Sequence, residues 1–169
     1  RFLPFEDGGM YDEVALRIEI AKVIAEIKPD VVIGPDHKLY PESHPDHLRV
    51  GEAVSKAYFM CSNVNMMKSV GATQIAKPTV LAYYFTGKPN RFVKITKKDF
   101  EKTKAAYACF VSQCPPPDNG KSLMLYMRLK VRLNGLRSFH IRADAFRVMN
   151  NMHIHCCGEA EDTAIRRPL

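Results

Sequence analysis

No stretch of this 169-residue chain is apolar enough to cross a bilayer; runs such as Thr79 to Phe85 fall far short of the roughly 20 residues a spanning helix needs. The opening residues, Arg1 to Gly9, lack the apolar segment of a secretory signal. The five cysteines are an odd count without regular spacing, which argues against a disulfide framework. Cys156 and Cys157 are adjacent, an arrangement that rarely satisfies disulfide geometry. A reduced, cytoplasmic setting is therefore expected. Zinc-finger spacing and RNA-binding aromatic signatures are absent too, so the net charge of +7 reads as a solvated basic surface without a nucleic-acid partner. Internal repeats and low-complexity tracts are missing as well.

What remains is ordinary globular material, 46% hydrophobic and 25% charged, long enough to bury one core. Tyr11 to Lys28 reads as a helix: Val14, Ile18, Ala21 and Ala25 line one face, and Leu16, Ile20, Val23 and Ile27 widen it. Pro29-Asp30 stops it, and Val31-Val32-Ile33 reads as a strand buried on both faces. Helix, tight turn and buried strand predict an α/β fold with a Rossmann-like, mainly parallel sheet flanked by helices. The irregular stretch Gly34 to Ser43 then lies at the carboxyl end of a strand, where such sheets place ligands. A second helix opens at His44-Pro45.

Further on, Thr79 to Phe85 and Arg91 to Ile95 read as strands joined by the turn Gly87-Lys88-Pro89-Asn90. Lys97 to Val111, Ser122 to Leu133 and Ala143 to Met149 read as helices, and Met152 to Cys156 as a short strand. The run Pro115 to Gly120 is a break.

The chemistry-bearing pattern is His44-Pro45-Asp46-His47. Two histidines three apart at a helix start can face one cavity, and imidazole is a common zinc ligand. Asp46 between them could orient an imidazole and raise its basicity. Helix caps also use such residues, so the motif gains meaning only from its surroundings.

Those surroundings resemble the LmbE-like (PIG-L) family of zinc-dependent N-deacetylases. Lys28 to Ile33, a short loop, and then His44 to His47 are similar to the family's second signature. Leu3-Pro4-Phe5-Glu6-Asp7-Gly8-Gly9 resembles the loop before the preceding helix. Ala82 to Phe85, Val93 to Thr96, Lys104 to Ser112-Gln113 and Arg142 to Phe146 resemble later segments in order. The resemblance implies a Zn2+ cofactor with His47 as a metal ligand, and His44, paired with Asp46, as the catalytic group that stabilises a tetrahedral oxyanion. It implies hydrolysis, through a zinc-bound water, of the acetamide on an N-acetylglucosamine-type sugar or glycoconjugate. It also implies that residues 1–169 are the C-terminal part of a single deacetylase domain, incomplete at the N-terminus, soluble and compatible with a homo-oligomer.

Three departures stand out. The family's Ala-His-Pro-Asp-Asp segment, which supplies two metal ligands and the general base, does not occur in these residues, so the chain is expected not to hold catalytic zinc tightly by itself. Phe110 stands where the family has a histidine, and Asp144 where it has glutamate. A non-catalytic α/β relic or interaction module is the alternative that the missing ligands favour. Among other candidates, His153, His155 and Cys157 would share one face of a strand and are competent zinc ligands, although an ordinary half-buried strand fits them as well. Cys109 and Cys114 read as inert thiols, His37 as a solvated loop histidine, and the methionines as core filling.

Overall fold

The structure, a computed structural model, describes residues 1–155. In chain order its elements are α1 (Glu13–Ile27), β1 (Val31–Pro35), α2 (Pro45–Met60), α3 (Val64–Ser69), β2 (Val80–Tyr84), β3 (Arg91–Lys94), α4 (Lys97–Ala108), a 3-10 turn (Val111–Gln113), α5 (Lys121–Arg137), β4 (Ala143–Met149) and α6 (Asn151–Ile154). The strands form one sheet in the order β1-β2-β4-β3. β1 and β2 run parallel, with Val31 opposite Val80, and β2 and β4 run antiparallel, with Ala82 opposite Val148. This is the expected α/β class, a sheet flanked by helices, with a mixed strand pattern. By contacts the chain divides into two compact units, Arg1–Arg91 with the segment from Phe146, and Phe92–Ala145.

In the first unit, α1 starts where the Asp12 carboxylate accepts from the Val14 and Ala15 N–H groups, and it ends at Lys28 in a left-handed conformation. Its Ala21, Ile24 and Ala25 pack with Val32 of β1, Val54, Ala57 and Tyr58 of α2, and Leu81 and Tyr83 of β2. Burying a large apolar side chain contributes about 1.5–3 kcal/mol, so this cluster is the main force holding α1 and α2 to the sheet. β1 departs from expectation. Val32 is buried while Val31 and Ile33 stay exposed, because β1 is an edge strand covered on one face among the described residues.

α2 must approach β1 closely, and Gly51 permits it. A Cβ there would lie 2.4 Å from the Pro35 carbonyl oxygen, a backbone atom that cannot swing away. One turn earlier on the same helix stands His47, so this close crossing sets where the helix start lies relative to the strand end.

Two segments take the opposite structure to the one their sequence suggests. Ala143–Met149 is strand β4 and not a helix, although Ala, Met and Arg are good helix formers. Pairing with β2 overrides that preference, as tertiary pairing commonly does. The Asn90 side chain adds to the pairing: its amide donates to the Val148 carbonyl at 2.9 Å and its oxygen accepts from the Val148 N–H at 2.7 Å. Accordingly β4, not β3, lies beside β2. After β4, residues Asn151–Ile154 form a helical turn instead of a strand, because Asn150 caps the Met152 and His153 N–H groups and His153 Nδ1 accepts from the Asn150 N–H.

Arg147 of β4 forms a two-pronged ion pair with Asp36, just past β1, at 2.9 Å and 2.5 Å. Both side chains are buried, and the guanidinium lies 4.4 Å from the centre of the Tyr83 ring. Burial alone would raise the Asp36 pKa, but the hydrogen bonds and charge of Arg147, with Thr86, hold it below the usual carboxylate range.

The second unit holds α4, opened by a reciprocal Thr96–Asp99 capping box, and α5. Phe100, Val131 and Ala143 are buried within it. Phe110 is exposed.

Removing one partner of the buried pair leaves an uncompensated charge, so Asp36→Ala is expected to lose about 3–5 kcal/mol in urea unfolding. A loss below about 1 kcal/mol would place the pair among weak surface ion pairs. Because the folded-state pKa is depressed, this contribution is present above the unfolded value of about 4 and disappears as pH falls through the folded value. The Asp36→Ala stability curve should therefore be flatter than the parent's in acid.

Candidate metal and catalytic centre

Beyond Asp36 the chain turns back on itself before α2. The Asp36 carboxylate accepts from the Lys38 N–H at 3.0 Å, and Leu39 and Glu42 close successive turns. Glu42 then directs its carboxylate at the helix entrance. Oε1 accepts from the Ser43 and His44 N–H groups at 2.9 Å and 2.8 Å, and Oε2 lies 2.8 Å from His47 Nδ1. The bond to His47, followed by the His44 N–H, pulls the Glu42 pKa down to about 2.

That ionisation settles the direction of the bond. A carboxylate can only accept, so His47 Nδ1 must carry the proton, and in the neutral ring the basic lone pair sits on Nε2. This is the arrangement by which a carboxylate orients a histidine for metal coordination.

Asp46 has partners the sequence did not suggest. It lies 3.8 Å from His44 Nδ1, too far for a hydrogen bond, and instead accepts from the Gly8 N–H at 2.7 Å and the Tyr11 hydroxyl at 2.8 Å. The Gly8 N–H is the main reason its pKa falls to about 2, against the effect of burial. Burial and the Asp46 hydrogen bond push Tyr11 up to about 12. Asp46 thus ties the loop of residues 5–11 to the first turn of α2. Arg49, one turn on, donates to the Gly9 carbonyl. Gly9, at φ 72°, lies so near the helix that a Cβ would meet Pro45 at 2.8 Å.

His44 is the helix N-cap residue and makes no side-chain cap, and its ring stacks on His47 at 4.7 Å between centroids. Asp7, His44 and Asp46 each offer a ligand atom within 4.8 Å of the others, a grouping the sequence did not suggest. Glu42, Asp7 and Tyr11 are the residues sequence reasoning passed over. The family-like loop Leu3 to Gly9 held Asp7 without giving it a role, and no motif marked Glu42 or Tyr11.

The other candidates separate from this centre. His37 is half-buried rather than solvated: its ring meets Tyr83 edge-on at 5.5 Å, and its Nδ1 is buried without a hydrogen-bond partner. Burial, then the charge of Arg147, lowers its pKa. His153 serves the Asn150 capping box, and His155 stacks on Phe59 at 5.1 Å, so the two are not adjacent positions on one strand face. Cys156 and Cys157 lie outside the described residues. Cys61, Cys109 and Cys114 are free thiols, and burial pushes Cys61 up to about 11.

A family model described as GlcNAc-PI de-N-acetylase (PIG-L) matches residues 1–58, the segment that builds this helix entrance. The diacetylchitobiose deacetylase of Thermococcus kodakarensis is 32% identical over 159 residues. The chain belongs to the PIG-L (LmbE-like) family. That alignment takes in 92% of this PIG-L chain and 58% of the relative, so the chain spans little more than half its length. The solved N,N'-diacetylchitobiose deacetylase of Pyrococcus horikoshii, in complex with an inhibitor, superposes with a TM-score of 0.78 at 26% identity, over 91% of this chain and 58% of that one. A conserved protein of Thermus thermophilus shares the PIG-L chain's fold at 23% identity, with a TM-score of 0.65 over 84% of this chain and 61% of that one.

The Glu42 bond yields a direct spectroscopic prediction. Long-range proton–nitrogen NMR of this PIG-L chain, at a pH where the ring is neutral, should show His47 in the Nδ1–H form, with Glu42→Ala shifting it to the Nε2–H form. A parent His47 protonated on Nε2 would refute the orientation.

Proposed function

We propose that this chain forms part of an N-deacetylase that hydrolyses the acetamide of an N-acetylglucosamine-type sugar or glycoconjugate to acetate and a free amine. The observation that carries the reading is the orientation of His47 by Glu42 at the helix entrance, in a chain similar to diacetylchitobiose deacetylases over most of its own length.

The donor set fits a zinc ion in part. His47 presents a basic Nε2, and imidazole nitrogen with carboxylate oxygen is the donor chemistry zinc takes. His47 is the residue assigned to hold the metal. Asp46 already accepts two strong hydrogen bonds, and its part is to fix the loop of residues 5–11 against α2. A bound zinc would supply Lewis acidity toward the amide carbonyl.

The chain's own residues do the rest of what can be assigned. His44 stands at the N-terminus of α2, where the helix dipole and an imidazole N–H favour negative charge developing on the carbonyl oxygen. The Asp46 carboxylate lies 3.8 Å from the Nδ1 of that ring. As the amide C–N bond breaks, oxygen from water ends in acetate and the nitrogen leaves as the amine. The base that takes the proton from water has no counterpart in these residues under the family pattern.

Two substitutions test the reading in the whole polypeptide that carries these residues, with acetate release from N,N'-diacetylchitobiose as the measure. His47→Ala should abolish both zinc binding and turnover. His44→Ala should keep zinc and lower kcat by about 100-fold or more, the usual effect of removing an oxyanion donor. Turnover that persists in His47→Ala and in the presence of chelator contradicts the proposal.

A further inference from the structure

The Phe92–Ala145 unit carries eleven Lys and Arg against four Asp and Glu, a net +7. The rest of the chain holds fourteen of each sign, so this unit accounts for the whole net charge of +7. Within it, α5 has five cations (Lys121, Arg128, Lys130, Arg132 and Arg137) and no acidic residue in 17 positions.

The face of α5 is as unusual as its charge. Leu125, Leu129, Leu133 and Leu136 are 57–76% exposed. At about 100° per residue they fall within roughly a quarter of the helix circumference. On the same wheel, Lys121, Arg128 and Arg132 border this stripe on one side, and Lys130 and Arg137 on the other. Phe139 and Ile141, just past the helix end, are 98% and 82% exposed. An isolated exposed leucine is common, but four in register on one helix face form a patch of the kind that marks an interaction surface. Beside the stripe, a cavity of about 250 Å³ has Phe100, Met124 and Leu125 in its lining, with Lys121 and Arg128 and a Lys104–Glu101 ion pair.

We propose that α5 docks the protein on an anionic lipid surface, lying flat with its leucine stripe among the acyl chains and its two cationic borders among the headgroups. Charge complementarity decides the occupant. A second copy would bring five more cations and no acid against the same face. Nucleic acid would match the cations yet leave the leucines in water. A layer of anionic headgroups over hydrocarbon matches both, since Lys and Arg reach up from a buried apolar stripe by their flexible stems. The cavity beside Leu125 fits one headgroup phosphate, with Lys121 and Arg128 as its cations. No described helix is long and apolar enough to cross a membrane. The docking is independent of the deacetylase reading.

Vesicle co-sedimentation of the whole polypeptide that carries these residues tests this. The protein should partition onto phosphatidylcholine vesicles containing about one-third phosphatidylglycerol, with binding that weakens as salt rises, and not onto pure phosphatidylcholine. Leu129→Gln with Leu133→Gln should lower the partition by about tenfold or more, and so should Arg128→Gln with Arg132→Gln. These side chains are exposed, so circular dichroism should show both variants folded. No partition of the parent, or equal partition of parent and variants, overturns the proposal. A dimer in light scattering that the leucine substitutions convert to a monomer would assign the face to a second copy and overturn it equally.

Discussion

A single ionised carboxylate organises the entrance to α2. Glu42 accepts from two backbone N–H groups and from the His47 ring, all within 2.9 Å. Three donors around one carboxylate keep it charged, and a charged carboxylate dictates which nitrogen of its partner bears the proton. The tautomer of His47 is thereby fixed by the loop that precedes it. Because the loop ends at the helix N-cap, any shift of α2 against β1 would break the bond. Gly51 and the Asp36–Arg147 pair hold that relation in place, one through close approach and the other by clamping the end of β1 to β4.

The second carboxylate at the entrance performs a separate task. Asp46 binds the backbone of Gly8 and the Tyr11 hydroxyl, so the loop of residues 5–11 and the start of α2 move as one. Asp7 arrives next to His44 and Asp46 by this route. The centre therefore depends on two loops from distant points of the chain, both braced on a rigid helix. This is how α/β folds commonly combine variable chemistry with a fixed frame.

Much of the frame was legible. The periodicity of Tyr11 to Lys28, the Pro29 stop and the His44-Pro45 opening mark α1, β1 and α2 almost to the residue, because those signals are local. β4 was hidden: Ala143, Ala145, Arg147 and Met149 favour helix while Phe146 and Val148 favour strand, and the pairing with β2 decides between them. The exposure of Val31 and Ile33 was hidden for a similar reason, since an apolar run does not say how many of its faces are covered. At the centre, the two histidines and Asp46 could be named from the motif, but the assignment of partners could not. Asp46 lies nearer in sequence to His47 than Glu42 does, yet geometry gives His47 to Glu42 and leaves Asp46 to Gly8 and Tyr11. Family resemblance pointed to this helix entrance, and only the three-dimensional arrangement separates its two carboxylates.

The most direct test is anomalous diffraction at the zinc edge from crystals of the metal-loaded whole polypeptide. The account predicts a peak about 2.0–2.1 Å from His47 Nε2, with Nδ1 still hydrogen-bonded to Glu42. A peak bound by Nδ1 with Glu42 turned away, or no peak near His47, would contradict it.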